Sequence, residues 1–234
     1  MIYYDQLPLS SDILKALSEL KIDYVFQPIF YPDGKTVFSW EALMRPHGTT
    51  VTELIERYTE EDKLHILEVA TVFGAMQAYL LRGYTERVSI NSFPSEAFTD
   101  EEGLVFDKFY GDIKGCMIVE MLEYPSLSIT KWLQKKEACI RNHTFVSLDD
   151  YGSGINDMEK VDFINPDIVK LDRSLISDID KSADKQSAVT DAVKALHSKA
   201  KKIVAEGVET KQEFDYLVSL GIDYFEGYYL ARPS

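Results

Sequence analysis

Eight short β-rich runs, all but one adjacent pair separated by helix-length segments, constrain the fold of this 234-residue chain more than any other feature. The runs are Asp23 to Tyr31, Thr36 to Met44, Arg87 to Ser92, Cys116 to Leu122, Thr144 to Leu148, Asp167 to Leu171, Lys202 to Ala205 and Tyr224 to Leu230. Between them lie segments such as Glu60 to Leu81, where apolar residues recur at three- and four-residue spacing and predict a helix. Asp184 to Lys199 and Glu213 to Leu220 read the same way, and residues 1–20 read as a lead-in helix. Alternation on this scale predicts an α/β fold, a (β/α)8 barrel of the TIM type. One junction departs from it. Only Y-P-D-G-K separates the first two runs. Pro-Asp-Gly is turn chemistry, and a parallel crossover needs about a dozen residues or more, so the first strand is expected to run antiparallel to the second. The length suits one barrel domain over residues 1–234. No internal repeat or low-complexity linker interrupts it, and Ser177 to Lys185 reads as a polar surface loop.

Thirty-nine acidic residues against 25 basic ones leave a formal charge of -14. A surface of that sign repels nucleic-acid backbones and anionic membranes unless metal ions intervene, which disfavours duplex nucleic acid as a partner. The first residues, M-I-Y-Y-D-Q-L-P, carry no basic leader, and no window reads as an uninterrupted apolar span, so a cytoplasmic protein without membrane insertion is expected. Cys116 and Cys139 lack metal-ligand spacing and read as reduced core residues.

Every strand from the second to the eighth carries a polar side chain in it or just beyond it. These are Glu41, Asn91, Glu120, the pair Asp149 and Asp150, Lys170, Glu206 and Glu226. Residues at the C-terminal ends of barrel strands converge on one rim, where barrel enzymes place their chemistry. A lone Glu in a strand is ordinarily solvent-facing, but seven occupied rim positions in succession are not. Partly buried carboxylates at this density repel one another and need a cation. Oxygen donors suit Mg²⁺, Mn²⁺ or Ca²⁺, whereas zinc and copper favour His and Cys; none of His47, His65, His143 and His197 falls at a rim position. Two ions sharing a carboxylate, about 3.5–4 Å apart, activate water and steady the leaving oxygen of a phosphoryl centre. The same residues would also suit enolase-type proton abstraction by a lysine base with Mg²⁺. In an unbroken strand Asp149 and Asp150 would point to opposite faces, so the strand is expected to stop at Leu148 or Asp149 and let both serve one site. Gly152 and Gly154 would ease that exit.

The motifs Y-V-F-Q-P-I-F, W-E-A-L-M-R-P, S-I-N-S-F-P, I-V-E-M-L-E, L-D-D-Y-G-S-G, I-V-K-L-D-R-S-L-I, A-E-G-V-E-T and E-G-Y-Y-L-A-R-P stand in that order. This series resembles the EAL-domain cyclic di-GMP phosphodiesterases from about Leu14 to Ser234. The resemblance implies a modified barrel with its first strand antiparallel, and hydrolysis of cyclic di-GMP to linear pGpG with Mg²⁺ or Mn²⁺, Ca²⁺ being inhibitory. It implies that Glu41, Asn91, Glu120 and Asp149 bind metal, that Asp149 bridges two ions, and that Asp150 and Glu206 complete the second. Lys170 would hold the attacking water, Arg45 would meet a phosphate, and Gln27 would seat a guanine. Glu123 and Glu209 resemble the family's loop-bracing acids, and relatives suggest a homodimer.

Two positions depart from the family pattern. Glu226, at a substrate-side position of the eighth strand, stands where the family usually has glutamine, and H-G-T-T-V-T-E-L-I-E-R-Y replaces the usual segment after Arg45. These departures keep two alternatives beside the enzyme: a catalytically inactive cyclic di-GMP receptor, and a protein-interaction module on the same fold.

Overall fold

The computed structural model describes residues 8–123, 128–153 and 156–234. Its strands are β1 (Ile22–Phe30), β2 (Val37–Pro46), β3 (Arg87–Ser92), β4 (Met117–Met121), β5 (Phe145–Tyr151), β6 (Ile168–Leu171), β7 (Lys202–Ala205) and β8 (Tyr224–Phe225), closed into a barrel in sequence order. β1 and β2 form an antiparallel hairpin with Gln27 opposite Glu41. Asp33 closes its turn by accepting backbone hydrogens from Lys35 and Thr36 at 2.9 and 2.8 Å. Consecutive strands from β2 to β8 pair in parallel, and Phe30 against Phe225 seals the ring antiparallel. The short first link therefore sets strand polarity as expected.

Around the barrel lie α1 (Ser11–Glu19), α2 (Val51–Glu60), α3 (Leu64–Arg82), α4 (Asp100–Tyr110), α5 (Ile129–Asn142), α6 (Met158–Ile164), α7 (Arg173–Ile176), α8 (Ala183–Ser198) and α9 (Lys211–Ser219). The helix expected over Glu60 to Leu81 begins only at Leu64, because the chain turns at Asp62 in the left-handed region (φ 54°). Before the turn, α2 starts from a reciprocal cap between Thr50 and Glu53. α3 is long and apolar enough to cross a membrane, yet 61% of that window is buried within the fold. Its apolarity is thus largely accounted for by packing against the barrel and α1.

Three further boundaries differ from expectation. The lead-in helix covers Ser11–Glu19 behind a Ser10 cap, and residues 1–7 lie outside the described set. The supposed surface loop Ser177 to Lys185 holds a 3-10 turn with Ile179 fully buried, and α8 already starts at Ala183. Burial of such a side chain contributes about 1.5–3 kcal/mol, enough to order a polar segment. The eighth strand ends at Phe225 instead of Leu230, because Gly227 turns the chain under Val208; a Cβ there would sit 2.1 Å from the Val208 carbonyl oxygen.

One apolar cluster of Ile29, Phe38, Ile118, Ile168 and Val204 links five strands. Two larger cores lie between sheet and helices, one including β1 to β3 and α3, the other β4 to β8 with α5 and α8. Both cysteines are free thiols; Cys139 is buried, and its surroundings push its pKa up to about 11.

Candidate active site

Strand alternation builds the site two residues at a time. Ser39 precedes Glu41 on β2, Ser89 precedes Asn91 on β3, and Ser147 precedes Asp149 on β5. On β4, β6 and β7 the corresponding pairs are Ile118 and Glu120, Ile168 and Lys170, and Val204 and Glu206. Residues two apart share a face, so each strand offers one small or apolar residue and then one polar residue towards the rim. Glu206 and Glu226 fall just past their strands, but their backbone N–H groups still bond Leu171 and Ala205 at 3.2 and 2.9 Å. The sheet's ladder therefore carries them to the same level.

Lys170 is the hub. Its ammonium lies 2.5 Å from Glu120, 2.6 Å from Glu206, 3.1 Å from Glu41 and Asp149, and 4.0 Å from Glu226. The side chain is 2% exposed. Burial alone would strip its proton, but Asp149, Glu120, Glu206 and Glu41 outweigh that and hold its pKa well above the ordinary lysine value. The carboxyls divide. Burial lifts Glu120, Glu206 and Glu226 well above the usual carboxylate range, and neighbouring acids add to it. Glu41 is lowered: burial opposes its charge, but Lys170 and hydrogen bonds from Glu226, Lys170 and Asn91 prevail. One lysine thus does not balance the charge that these acids would carry if all were ionised.

The adjacent aspartates converge by a route other than the one expected. β5 does not stop at Leu148 or Asp149 but runs to Tyr151 through a bulge, and its pairing with β6 skips from Leu148 to Tyr151. Asp150 takes the left-handed conformation (φ 51°), which a short polar side chain tolerates. Asn156 steadies the exit by donating to the Asp149 carbonyl at 2.7 Å. Gly152 also has positive φ there, whereas Gly154 lies outside the described residues. Asp150 titrates at about 6, raised by burial and by Asp149 and Asp172.

Two sets of carboxylates have oxygens within 4.8 Å of one another, Glu41 with Glu120 and Glu206, and Asp149 with Asp150 and Glu206. The shared residue is Glu206, whereas the resemblance puts Asp149 between the ions. Every donor is an oxygen. Asn91 Oδ1, Asp149 Oδ1 and Glu226 Oε2 are buried without a hydrogen-bond partner among the described residues, Asp149 Oδ1 facing Lys170 but off the hydrogen-bond line. An unsatisfied buried oxygen costs about 1–3 kcal/mol, and a hard divalent cation removes that cost. The residues therefore fit Mg²⁺, Mn²⁺ or Ca²⁺ and not a soft metal.

The other expected site residues fall around this centre. Gln27 is buried opposite Glu41 across the hairpin. Glu123 acts on Asp150 through space. Glu209 grips Arg173 at 2.9 Å, holding the start of α7 against the Gly207 turn. Arg45 stands apart, exposed, with its guanidinium donating to the Met44 carbonyl. Sequence reading passes over Ser89, whose hydroxyl donates to Glu120 inside the barrel, and Asn156. Alternation on β3 would have found Ser89; nothing local marks Asn156.

A family model described as EAL domain matches residues 10–233. The chain is 27% identical over 249 residues to the probable cyclic di-GMP phosphodiesterase PdeG of Escherichia coli K12, covering 99% of this chain and 48% of PdeG. It spans about half the length of the curated relatives it matches. A standalone versatile EAL protein from Vibrio cholerae O395, solved in its c-di-GMP-bound form, superposes with a TM-score of 0.82 at 26% identity, covering 92% of this chain and 93% of that one. Klebsiella pneumoniae BlrP1, solved as a manganese and cyclic di-GMP complex, superposes with a TM-score of 0.79 at 26% identity over 92% of this chain and 56% of BlrP1. With its motifs, antiparallel first strand and acidic rim in place, the chain belongs to the EAL domain family.

Proposed function

We propose that this chain is a metal-dependent phosphodiesterase that hydrolyses cyclic di-GMP to linear pGpG, as one catalytic unit over residues 1–234. The observation that carries the reading is the pair of oxygen clusters meeting at Glu206 beside a buried lysine. The names of its relatives and the ligands of its structural neighbours point the same way. Glu41, Asn91, Glu120, Asp149, Asp150 and Glu206 hold two Mg²⁺ or Mn²⁺ ions, which supply charge neutralisation at phosphorus and acidify water when bound. Lys170 keeps its proton and orients the attacking water by donating to it. Gln27, Arg45 and Glu226 line the approach of the dinucleotide. Glu123 and Glu209 brace the loops on either side. A cytoplasmic homodimer is the working form, supported by the exposed Ile129, Leu133 and Ile140 along α5 and Phe163 on α6.

The test is chromatographic: purified chain with cyclic di-GMP and Mg²⁺, Mn²⁺ or Ca²⁺ in parallel. Formation of pGpG with the first two and not the third is expected, and Glu206→Gln should abolish it. Intact substrate after hours with Mn²⁺ would leave only the receptor or interaction readings standing.

A further inference from the structure

A cavity of about 400 Å³ lies outside the barrel, between α4 and α5 and over the outer faces of β3 and β4. Its floor is apolar, built from buried Ile90, Val119 and Phe106. Small-molecule sites span about 300–1,000 Å³, and this half-open cleft falls within that range. The residues that face the gap keep it open. α4 presents Gly103 and α5 presents Ala138, and a Cβ built on Gly103 would meet nothing within 4 Å. Leu104, one residue on, is 72% exposed and leaves the space unfilled.

The polar groups have separate parts. At the inner end Lys135 donates to Glu68 at 2.9 Å, to the Phe93 carbonyl at 2.7 Å and to Ser92 Oγ. All three of its hydrogens are thereby committed, so it acts as a strut between α5, α3 and the end of β3. Glu68 also receives the Phe93 N–H at 2.9 Å. At the mouth Arg141 is exposed and has no carboxylate partner among the described residues. The rim aspartates do not serve it: Asp107 is held by Lys114 at 3.0 Å, and Asp100 stands in the first turn of α4. An apolar cleft whose mouth offers, among the described residues, one available cation complements a molecule with an apolar body and a single acidic head.

We propose that this cleft is an effector site for amphipathic monoanions, the acid at Arg141 and the apolar body over Ile90 and Val119. Occupancy is passed to the acidic centre, because Lys135 and Glu68 grip Ser92 and Phe93, and Ser92 follows Asn91, whose amide bonds Glu41. Only this relay rests on the metal-binding reading of Asn91; the binding site does not.

The binding test titrates the intact chain with anilinonaphthalene sulfonate and follows its displacement by decanoate, with decanol as the uncharged control. One saturable site is expected in the natural protein. Ala138→Phe, which fills the gap, should weaken probe and decanoate by at least about tenfold without lowering the unfolding temperature. Gly103→Leu is the second plug should that variant fold poorly. Arg141→Gln should weaken decanoate about three- to tenfold and leave decanol unchanged. No saturable site, or undiminished affinity in a folded plug variant, overturns the proposal. Mn²⁺ affinity is then measured by calorimetry with and without saturating decanoate. A shift absent from Ala138→Phe supports the relay, and no shift refutes it while leaving the site itself decided by the first titration. Neither readout depends on turnover.

Discussion

The fate of one buried ammonium sets the chemistry of the rim. Lys170 sits among four carboxylates within 3.1 Å, with Glu226 a little farther off. Without it the acids would face one another across a buried space. Removing one partner of such an arrangement costs about 3–5 kcal/mol, so Lys170→Met should lose about that much stability at neutral pH in the absence of metal. The loss should shrink at low pH, where the carboxyls are neutral, and saturating Mn²⁺ should recover part of it. Urea unfolding at two pH values measures this, and a loss under about 1 kcal/mol would contradict the hub role. At this scale the sequence shows the identities and rim positions of the acids through their spacing on the strands. It does not show that Glu206 is common to both oxygen clusters, nor that Lys170 and its hydrogen bonds lower the pKa of Glu41 while burial raises those of Glu120 and Glu226. Those follow from distances of a few ångströms between side chains on different strands of the barrel.

Elements show the same division. Strand alternation is local, so the strand positions were legible, but strand ends are set by what the chain meets next. β8 is short because Gly227 turns it beneath Val208, and β5 is long because Asp150 bulges. Gly227→Ala would drive a methyl group into the Val208 backbone and should cost about 1–3 kcal/mol, displacing Glu226 with it. An unchanged melting temperature would show that the turn is not constrained. The break before α3 has its own electrostatic consequence. His65, in the first turn of α3, pairs with Glu102 at 3.0 Å and Glu96 at 3.3 Å, and these hydrogen bonds raise its pKa to about 9. The unfolded value is about 6.5. The folded pKa is the higher one, so the stabilisation is fully present below about pH 6.5 and is lost as pH rises through about 9. The melting-temperature gap between the natural protein and His65→Gln should therefore be widest at pH 6 and close by about pH 10. A pH-independent gap would mean that packing, and not charge, makes the contact.

For the protein as a whole, a metal ion held by the acidic rim would couple to folding. A ligand that binds only the folded state stabilises it by about 2.7 kcal/mol at a hundred times its dissociation constant, so Mn²⁺ should raise the melting temperature and chelation should reverse the rise. Glu120, Glu206 and Glu226 hold protons at pH values where ordinary carboxylates are ionised. Metal ligation requires Glu120 and Glu206 deprotonated. Mn²⁺ binding should therefore release protons wherever these carboxyls are still protonated, its enthalpy there should vary with the ionisation enthalpy of the buffer, and its affinity should fall as pH falls. A buffer-independent enthalpy would mean that the acids are already ionised. The barrel, the antiparallel first strand and the acids of the rim are legible along the chain, because strand alternation, a five-residue link and side-chain chemistry are properties of short stretches. Which acids share Lys170, how Asp149 and Asp150 reach one side, and that a cleft stays open between α4 and α5 emerge only once the barrel has closed. Barrel closure brings those groups together across the whole length of the chain, and no local period encodes the distance at which it leaves them.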